Sequence, residues 1–416
     1  MVKSIKEKTQ DIMRSIKLII ISVFIIALTL PSFASGSGIE QNSLTEYYYS
    51  LSYDEIPVLS DLSKPQMELN GKGMVLMEAS TGTVLYEENM GVKLPPASVT
   101  KVMTMLLVME SIDSGKIKLE DKVSASEHSV SMGGTQIYLE LGEEMTVHEL
   151  LKAVAVPSAN DAAVALAEYI AGSESEFVNK MNQKASDLGM KNSQFTNCTG
   201  LFDDENHYTT AYDLALATKE LLTHPKILEY TTIWMDSLRN GEFGLANTNK
   251  LLRTYSGMNG MKTGYTKLAG HCLSGTANRN GLQLIAVVLG SSSSQERFDA
   301  VSKMLDYGFA NFAVINEIAE IPNTIEVKKG KSNEVGISVN DSLNLVIHKG
   351  KEKSLETTIE ICDFIEAPVG KGQTVGSVTY KLDGEIIKVI PILVNDNCEK
   401  ADVFDFFKNI ISEILI

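Results

Sequence analysis

Three short motifs stand in one order along the chain. Together they contain the groups that a serine acyl-transfer site needs when it has no catalytic histidine. The motifs are Ser98-Val99-Thr100-Lys101, Ser158-Ala159-Asn160 and Lys262-Thr263-Gly264. A serine hydroxyl is a poor nucleophile at neutral pH and needs a base within hydrogen-bond reach. Positions i and i+3 share one face of a helix, so the spacing predicts a helical turn with Ser98 as nucleophile and Lys101 as its base.

The residues around the first motif favour a buried site. A serine and a lysine at this spacing occur by chance about once or twice in a chain of this length, and a solvated lysine at a helix start is the simpler alternative. Here, however, two prolines enforce an extended approach, and residues 99–109 are almost wholly apolar, which is typical of a helix in a core. Burial would lower the pKa of the Lys101 amine toward that of a usable base, and the helix N-terminus would present free N–H groups at Ser98.

The second motif is predicted to lie on a loop between two helices. Thr146 and Glu149 form a capping-box pattern that starts one helix, a proline ends it, and residues 162–171 form the next. The triplet can therefore face a cleft. The alternative is that Ser158 or Asn160 merely caps the following helix, which is a common role for both residue types.

The third motif is predicted to lie on a strand. Apolar β-type runs cover residues 258–266, 270–276 and 282–289, with an Asn-Gly type turn before the last. A glycine inside a strand, here Gly264, indicates a close backbone approach, which a substrate laid alongside as an added strand would require. Lys262 and Thr263 would then offer a cation and a hydroxyl to a carboxylate. The alternative is a solvent-facing lysine on an edge strand.

Several longer segments look like one protein family. They are GTQIYL at 134–139, SANDA at 158–162, HYTTA at 207–211, NTN at 247–249, GMKTGYT at 260–266 and LDYGF at 305–309. On these segments the chain resembles the low-molecular-mass penicillin-binding proteins that act as serine-type D-alanyl-D-alanine carboxypeptidases. The likeness covers about residues 73–312 and continues more loosely to the C-terminus.

The resemblance implies a catalytic role for four of the motif residues. Ser98 would attack the carbonyl of the penultimate D-alanine of a peptidoglycan stem peptide and carry the acyl group, while Lys101 takes its proton. Ser158 would pass a proton to the departing D-alanine, and Asn160 would hold Lys101 and the substrate amide. Water would then release the shortened peptide. β-Lactam antibiotics would acylate the same serine.

The resemblance also implies which residues bind the substrate. Lys262 and Thr263, beside Gly264, would hold the terminal carboxylate. The backbone N–H groups of the nucleophile and of Tyr265 would form the oxyanion hole, which is usually the largest single catalytic contribution. Arg297 stands where the family often keeps a carboxylate-binding arginine, and an ordinary surface salt bridge is the alternative for it.

The N-terminus predicts export. Five Lys or Arg residues precede an apolar run over 18–30, and Ser32-Phe33-Ala34 supplies small residues for cleavage after residue 34. An uncleaved anchor is the alternative, although the run is short for a membrane span. Removal of residues 1–34, which hold five Lys or Arg and two Asp or Glu, would change the formal net charge from −16 to −19. So acidic a protein is a poor candidate for binding nucleic acid.

The cysteines and histidines indicate no metal site and no cofactor. Cys198, Cys272, Cys362 and Cys398 show no metal-ligand spacing, and no H-E-x-x-H occurs among the six histidines. In an exported protein a disulfide can form, and Cys362 with Cys398 is the candidate pair. Free buried thiols are the expected state.

The pattern of elements predicts an α+β fold. Strands at both ends of the first domain, with helical segments at 98–113 and 147–222 and a closing helix over 295–310, indicate an antiparallel sheet flanked by helices. The resemblance sharpens this to a β-lactamase/transpeptidase-like domain with a helical subdomain. The predicted divisions are a signal peptide (1–34), a lead-in (35–68), the catalytic domain (69–315), a small all-β sandwich (316–396) and an amphipathic helix (397–416) that would lie on the outer face of the cytoplasmic membrane. For this helix, packing onto the β domain or onto a second subunit is the alternative.

Three other functions compete with the carboxypeptidase. A β-lactamase on the same fold would need a fast route for hydrolysing its ester, and no Glu-x-x-Leu-Asn run follows Asn160. A D,D-endopeptidase that cuts peptidoglycan cross-links would use the same residues and stays open. A non-hydrolytic peptidoglycan-binding or penicillin-binding protein would have no reason to keep Ser98, Lys101, Ser158 and Lys262 together.

Overall fold

The computed structural model describes residues 67–402 and Asp405. The predicted signal peptide, nearly all of the lead-in and most of the predicted C-terminal helix lie outside these residues. Within the described ranges, no helix is long and apolar enough to cross a membrane.

Helices and strands are interspersed in the first part of the described chain, whereas the second part consists almost entirely of strands. The helices are α1 (Lys101–Asp113), α2 (Glu127–Val130), α3 (Val147–Ala155), α4 (Asn160–Ala171), α5 (Glu174–Asp187), α6 (Ala211–Leu222), α7 (Leu228–Thr231), α8 (Leu251–Thr254) and α9 (Ser294–Asn311). The strands are β1 (Gly73–Glu78), β2 (Val84–Glu88), β3 (Lys122–Ser124), β4 (Glu144–Thr146), β5 (Met235–Leu238), β6 (Phe243–Ala246), β7 (Met258–Thr266), β8 (Gly270–Arg279), β9 (Leu282–Ser291), β10 (Phe312–Glu317), β11 (Thr324–Lys328), β12 (Glu334–Val339), β13 (Leu343–His348), β14 (Leu355–Ile361), β15 (Phe364–Glu366), β16 (Thr374–Leu382) and β17 (Glu385–Val394).

A five-stranded antiparallel sheet is the central layer of the first domain, in the order β2-β1-β9-β8-β7. Alternate residues of a strand point to opposite faces. Accordingly, Leu284 and Val288 of β9 belong to one core with α9, whereas Ile285 and Val287 belong to the core on the other face, with α1. The predicted sheet flanked by helices is confirmed. The strand that carries the third motif, β7, is a free edge of this sheet.

The helical subdomain contains the helix that follows the first motif. Nearly every side chain of α1 is buried, in agreement with its apolar sequence. Thr146 and Glu149 form the predicted capping box at the start of α3. This box fixes the entry into the helix that leads to the second motif.

Two local predictions in this subdomain are wrong. Residues 97–100 form a 3-10 turn rather than the first turn of the α-helix, because Ala97 adopts a left-handed conformation with a φ of 49° directly after the two prolines. Residues 188–210, between α5 and α6, are not helical, and this stretch contains Gly189 and Gly200 at positive φ. The irregular stretch contributes a carbonyl group to the candidate active site.

The C-terminal part is all β, as predicted. A six-stranded sheet in the order β14-β16-β17-β12-β11-β15 and a two-stranded ribbon of β10 and β13 enclose a core that includes Leu343 and Val378. The sequence pattern missed β10, β12 and β15. Because β10 begins at Phe312 and pairs with β13, it crosses the predicted boundary at residue 316.

Residues at the start of the predicted C-terminal helix are not helical where the structure describes them. Cys398 pairs with Val369, and Lys400 pairs with Gly330, through isolated β-bridges. The chain therefore still belongs to the β domain at residue 400, and a start of the helix at residue 397 is wrong. The remainder of that predicted helix lies outside the described residues, Asp405 excepted.

The four cysteines are free thiols. Cys198, Cys272 and Cys398 are buried, whereas Cys362 is exposed. The candidate disulfide between Cys362 and Cys398 is absent from the structure, and free buried thiols were correctly expected for three of the four residues.

Candidate active site

The serine of the first motif lies on the 3-10 turn that precedes α1. The Thr100 hydroxyl donates a hydrogen bond of 2.8 Å to the Ala97 carbonyl and also lies 2.8 Å from Nε2 of His207. The Thr196 backbone N–H donates to Nδ1 of His207, so Nε2 carries the proton and donates to Thr100. Burial lowers the pKa of His207 to about 4, so the imidazole that bonds to Thr100 is neutral near pH 7. The turn that holds Ser98 is thereby fixed from a neighbouring loop.

Lys101 is fully buried and has three polar neighbours. Its Nζ lies 3.2 Å from Oγ of Ser98, 2.6 Å from Oδ1 of Asn160 and 2.8 Å from the carbonyl oxygen of Thr199. Burial is the largest influence on the amine and lowers its pKa to about 7, although Cys198 and Asp161 act in the opposite direction. A neutral amine can donate two N–H groups to Asn160 and Thr199, and its lone pair then faces the Ser98 hydroxyl.

Asn160 is held in one orientation by the loop between α2 and β4. Its Nδ2 donates a 2.7 Å hydrogen bond to the Gly133 carbonyl, and its backbone N–H donates a 2.8 Å hydrogen bond to the Thr135 carbonyl. Oδ1 is then left to accept from Lys101. The next residue, Asp161, accepts hydrogen bonds from the backbone N–H groups of Ile137 and Leu139. These contacts anchor the loop that forms this wall of the cleft.

Ser158 does not cap the following helix. The N-cap position of α4 is Ala159, and no side chain caps the helix there. Ser158 adopts a φ of 75°, and its hydroxyl is buried with no hydrogen-bond partner among the described groups. A strained serine with an unsatisfied hydroxyl is typical of a functional position rather than of a helix start.

The lysine of the third motif is buried rather than solvent-facing. Nζ of Lys262 donates a 3.0 Å hydrogen bond to the Thr263 carbonyl. Burial, followed by the positive charges of Lys101 and Arg297, lowers its pKa well below the usual value. The Thr263 hydroxyl lies 2.6 Å from that of Thr248. An anion bound beside these groups would favour the charged form of Lys262.

Gly264 is the point at which β7 touches the turn of Ser98. A Cβ atom at this position would lie 2.9 Å from the backbone nitrogens of both Ser98 and Val99 and 3.0 Å from the Pro96 carbonyl oxygen. The predicted close approach is therefore real, but its reason differs from the expected one. The neighbour that needs the space is the turn itself rather than an added substrate strand.

Arg297 and Tyr265 lie at the other end of the motif. The buried Arg297 guanidinium donates from Nη1 to the carbonyls of Gly264 at 2.8 Å and Cys272 at 3.2 Å. It is not a surface salt bridge, and it braces β7 against β8 instead of facing an open cleft. The Tyr265 ring is 58% exposed and stacks on His271 with the ring centroids 4.4 Å apart.

The structure thus brings Ser98, Lys101 and Asn160 into direct contact, with Gly264 against the same turn. Sequence reasoning missed Thr199, His207 and Thr248 as members of the site. The segments that contain His207 and Thr248 were noticed for their family likeness, but only contacts across the fold give these residues a role. The Thr199 contribution is a backbone carbonyl, for which no side-chain signal exists.

One group of possible metal ligands occurs among the described residues, away from this site. Glu110, Glu220 and His224 place their ligand atoms within 4.8 Å of one another. The Lys184 ammonium forms ion pairs with both glutamates and so already supplies a cation between them.

The fold and the site match one family over most of the chain. Residues 60–293 match the Peptidase S11 family, described as D-alanyl-D-alanine carboxypeptidase, and residues 314–400 match the C-terminal domain of penicillin-binding protein 5. The chain belongs to the D-alanyl-D-alanine carboxypeptidase family, a family of serine hydrolases. The resemblance and the enzyme class predicted from the sequence are confirmed.

Individual relatives and solved structures agree with this assignment. DacF, a D-alanyl-D-alanine carboxypeptidase from Bacillus subtilis, is 45% identical over 343 residues, which cover 81% of this chain and 88% of DacF. Penicillin-binding protein 5 from Haemophilus influenzae matches with a TM-score of 0.71 and 31% identity over 82% of this chain and 100% of its own. Penicillin-binding protein D2 from Listeria monocytogenes, in an ampicillin-bound form, matches with a TM-score of 0.54 and 32% identity over 59% of this chain and 100% of its own.

The contact at Gly264 predicts a specific defect for Gly264→Ala. The added methyl group would meet backbone nitrogens that cannot move independently, so the turn of Ser98 must shift. A misplacement of about 1 Å at the reacting groups can cost about a hundredfold in rate. We expect the rate of covalent labelling by a fluorescent penicillin to fall by about that factor. The matched control is Gly244→Ala in β6, where no atom lies within 4 Å. Equal labelling of the two variants would contradict this account.

Proposed function

We propose that the protein removes the terminal D-alanine from peptidoglycan stem pentapeptides through an acyl-enzyme on Ser98. The observation that carries this proposal is the Lys101 amine, fully buried and 3.2 Å from the Ser98 hydroxyl. The two fixed acceptors, Asn160 and Thr199, orient the remaining position of the amine toward that hydroxyl. A base of this kind turns a weak nucleophile into an effective one.

In the first half-reaction, Lys101 accepts the Ser98 proton while Oγ attacks the carbonyl carbon of the penultimate D-alanine. The C–N bond to the terminal D-alanine breaks, and the departing amine receives a proton from Lys101 through the unpartnered Ser158 hydroxyl. The backbone N–H groups of Ser98 and Tyr265 would stabilise the oxyanion. The close contact between Gly264 and the Ser98 nitrogen supports an oxyanion hole between β7 and the turn of Ser98.

The terminal carboxylate would bind at the beginning of the third motif. Thr263 and Thr248 supply hydroxyl groups 2.6 Å apart, and Lys262 supplies a buried amine, the charged form of which a bound carboxylate would stabilise. Arg297 would contribute positive potential from behind β7, since its guanidinium is engaged by the strand carbonyls. In the second half-reaction, water attacks the ester, Lys101 accepts the proton of the water and returns it to Oγ of Ser98, and the shortened peptide leaves with a free carboxylate.

β-Lactams would acylate the same serine, as the ampicillin-bound relative suggests. Their ring amide replaces the peptide bond that breaks, and the leaving amine stays attached to the acyl group. No metal or cofactor takes part in these steps.

The central test is Ser98→Ala. The native protein should release D-alanine from a peptide that ends in D-Ala-D-Ala and should take up a fluorescent penicillin covalently. The variant should lose both, because no other hydroxyl contacts Lys101 among the described residues. Labelling that survives in the variant would remove Ser98 from the role of nucleophile. Labelling of the native protein without D-alanine release would favour a non-hydrolytic binding protein.

The pKa of Lys101 predicts the pH dependence of acylation. The amine must be neutral to accept a proton, and burial lowers its pKa to about 7. The rate constant for acylation by penicillin should therefore rise as the pH increases through about 7 and then level off. Lys101→Arg should lose acylation at every pH, because a guanidinium stays charged. A rate that does not change between pH 5 and pH 9 would exclude Lys101 as the base.

We also propose that residues 1–34 direct export and that the C-terminal residues attach the protein to the outer face of the cytoplasmic membrane. The support is the sequence alone: apolar residues recur on one face over residues 402–416, and the only cation there is Lys408. The chain without its signal segment should therefore sediment with zwitterionic vesicles, whereas a chain that ends at residue 402 should not. Equal sedimentation of the two would exclude this anchor.

A further inference from the structure

The third motif defines the two ends of the cleft. Thr263 lies beside Thr248, and Gly264 lies against the turn of Ser98, one residue further along β7. Under the proposed function, the substrate carboxylate therefore lies toward Thr248, and the acyl part of the substrate extends past Tyr265. The group that leaves in the reaction must depart at the Thr248 end.

A hairpin stands at this leaving-group end. β5 and β6 form an antiparallel pair, and the chain passes from β6 directly into the segment that contains Thr248. Asn247 closes the base of the hairpin. Its backbone N–H donates to the Trp234 carbonyl, and its side-chain Nδ2 donates to the Ile233 carbonyl. Thr248 connects this hairpin to both walls of the cleft, because its hydroxyl bonds to Thr263 of β7 and its backbone N–H donates to the Val156 carbonyl just before the second motif.

Arg239, in the turn of this hairpin, contacts the loop between α2 and β4. Its guanidinium binds both carboxylate oxygens of Glu143, at 2.8 Å from Nε and 3.0 Å from Nη2. It also donates to the carbonyls of Ile137 at 2.9 Å and Tyr138 at 3.3 Å. These partners belong to the loop that positions Asn160. The side chains of Arg239 and Glu143 are 25% and 22% exposed, so this bidentate pair is sheltered from water.

Two aromatic rings accompany the ion pair. Tyr138 and Phe243 pack edge to face with centroids 6.3 Å apart, and the Arg239 guanidinium lies 5.5 Å from the Phe243 ring. Tyr138 adopts a φ of 56°, and its side chain remains 67% exposed. A strained backbone that holds a large ring in solvent is costly, so it is typical of a residue with a function at the surface.

We propose that Arg239, Glu143, Tyr138 and Phe243 form a bridge across the leaving-group end of the cleft, and that this bridge selects for a leaving group of one amino acid. A terminal D-alanine would fit beneath it. In a cross-linked substrate the leaving amine carries a second stem peptide, which would collide with the bridge. The inference rests on the proposed function and adds a substrate preference to it: the enzyme would be a carboxypeptidase that excludes cross-linked peptides as substrates.

The test compares two substrates on the same protein. One is a stem pentapeptide that ends in D-Ala-D-Ala, and the other is a cross-linked dimer of stem peptides. The quantity measured is the ratio of kcat/KM for the dimer to kcat/KM for the pentapeptide, because losses from partial misfolding cancel in this ratio. The variants are Arg239→Ala and Tyr138→Ala. Tyr138 is exposed, so its removal does not disturb the core. The matched control is Lys122→Ala, which removes the exposed ion pair with Glu144, the neighbour of Glu143.

Both bridge variants should raise the ratio by about tenfold or more, which is the discrimination that a few steric contacts supply. Lys122→Ala should leave it unchanged. If the ratio is the same in the bridge variants as in the native protein, or already high in the native protein, the inference is wrong while the carboxypeptidase proposal stands. If the native protein releases no D-alanine and binds no penicillin, the proposed function itself fails.

Discussion

The site depends on one buried amine. Lys101 sits at the start of a helix that the core surrounds, and the cost of charging an amine there lowers its pKa to about 7. The same burial would be destabilising for an unsatisfied group, but Asn160 and Thr199 accept its hydrogen bonds. In the proposed reaction, Lys101 thereby serves as a base of which a substantial fraction is neutral near pH 7, and no histidine is needed. A shift of one pKa unit corresponds to about 1.4 kcal/mol, so even a partial loss of burial would raise the pKa and reduce the fraction of neutral amine.

The second requirement is the contact between an edge strand and a short turn. Gly264 lets β7 approach the backbone of Ser98, and Arg297 holds the carbonyl of the same glycine from behind. On the other side, His207 and Thr100 fix the turn through neutral hydrogen bonds. Ser98, the proposed nucleophile, is therefore positioned by groups that have no direct contact with the substrate in the proposed reaction. Such preorganisation is what an acyl-transfer site needs, because small displacements have large effects on rate.

Much of this site could be predicted from the sequence, because its chemistry depends on side chains at fixed local spacing. The pairing of Ser98 with Lys101 was predicted from their i and i+3 spacing, which brings the two side chains together in the observed 3-10 turn as well. The strands of the third motif follow from apolar runs and a turn. What could not be predicted depends on long-range contacts. The roles of Thr199 and His207 exist only because an irregular loop packs against α1. Arg297 was expected at a carboxylate, whereas its burial engages it with the strand. The ion pair between Arg239 and Glu143, on which the proposed bridge depends, is another long-range contact, and nothing in the local sequence of either residue indicates it.

The most direct test of this account is the protonation of Lys101 in the folded protein. NMR-detected titration of lysine labelled at the ε-carbon, assigned by comparison with Lys101→Arg, would follow this amine alone. The account predicts a midpoint close to 7, with Ser98 intact and no substrate bound. A midpoint near the ordinary value for an exposed lysine would contradict it, because a permanently charged amine could not take the proton of the serine.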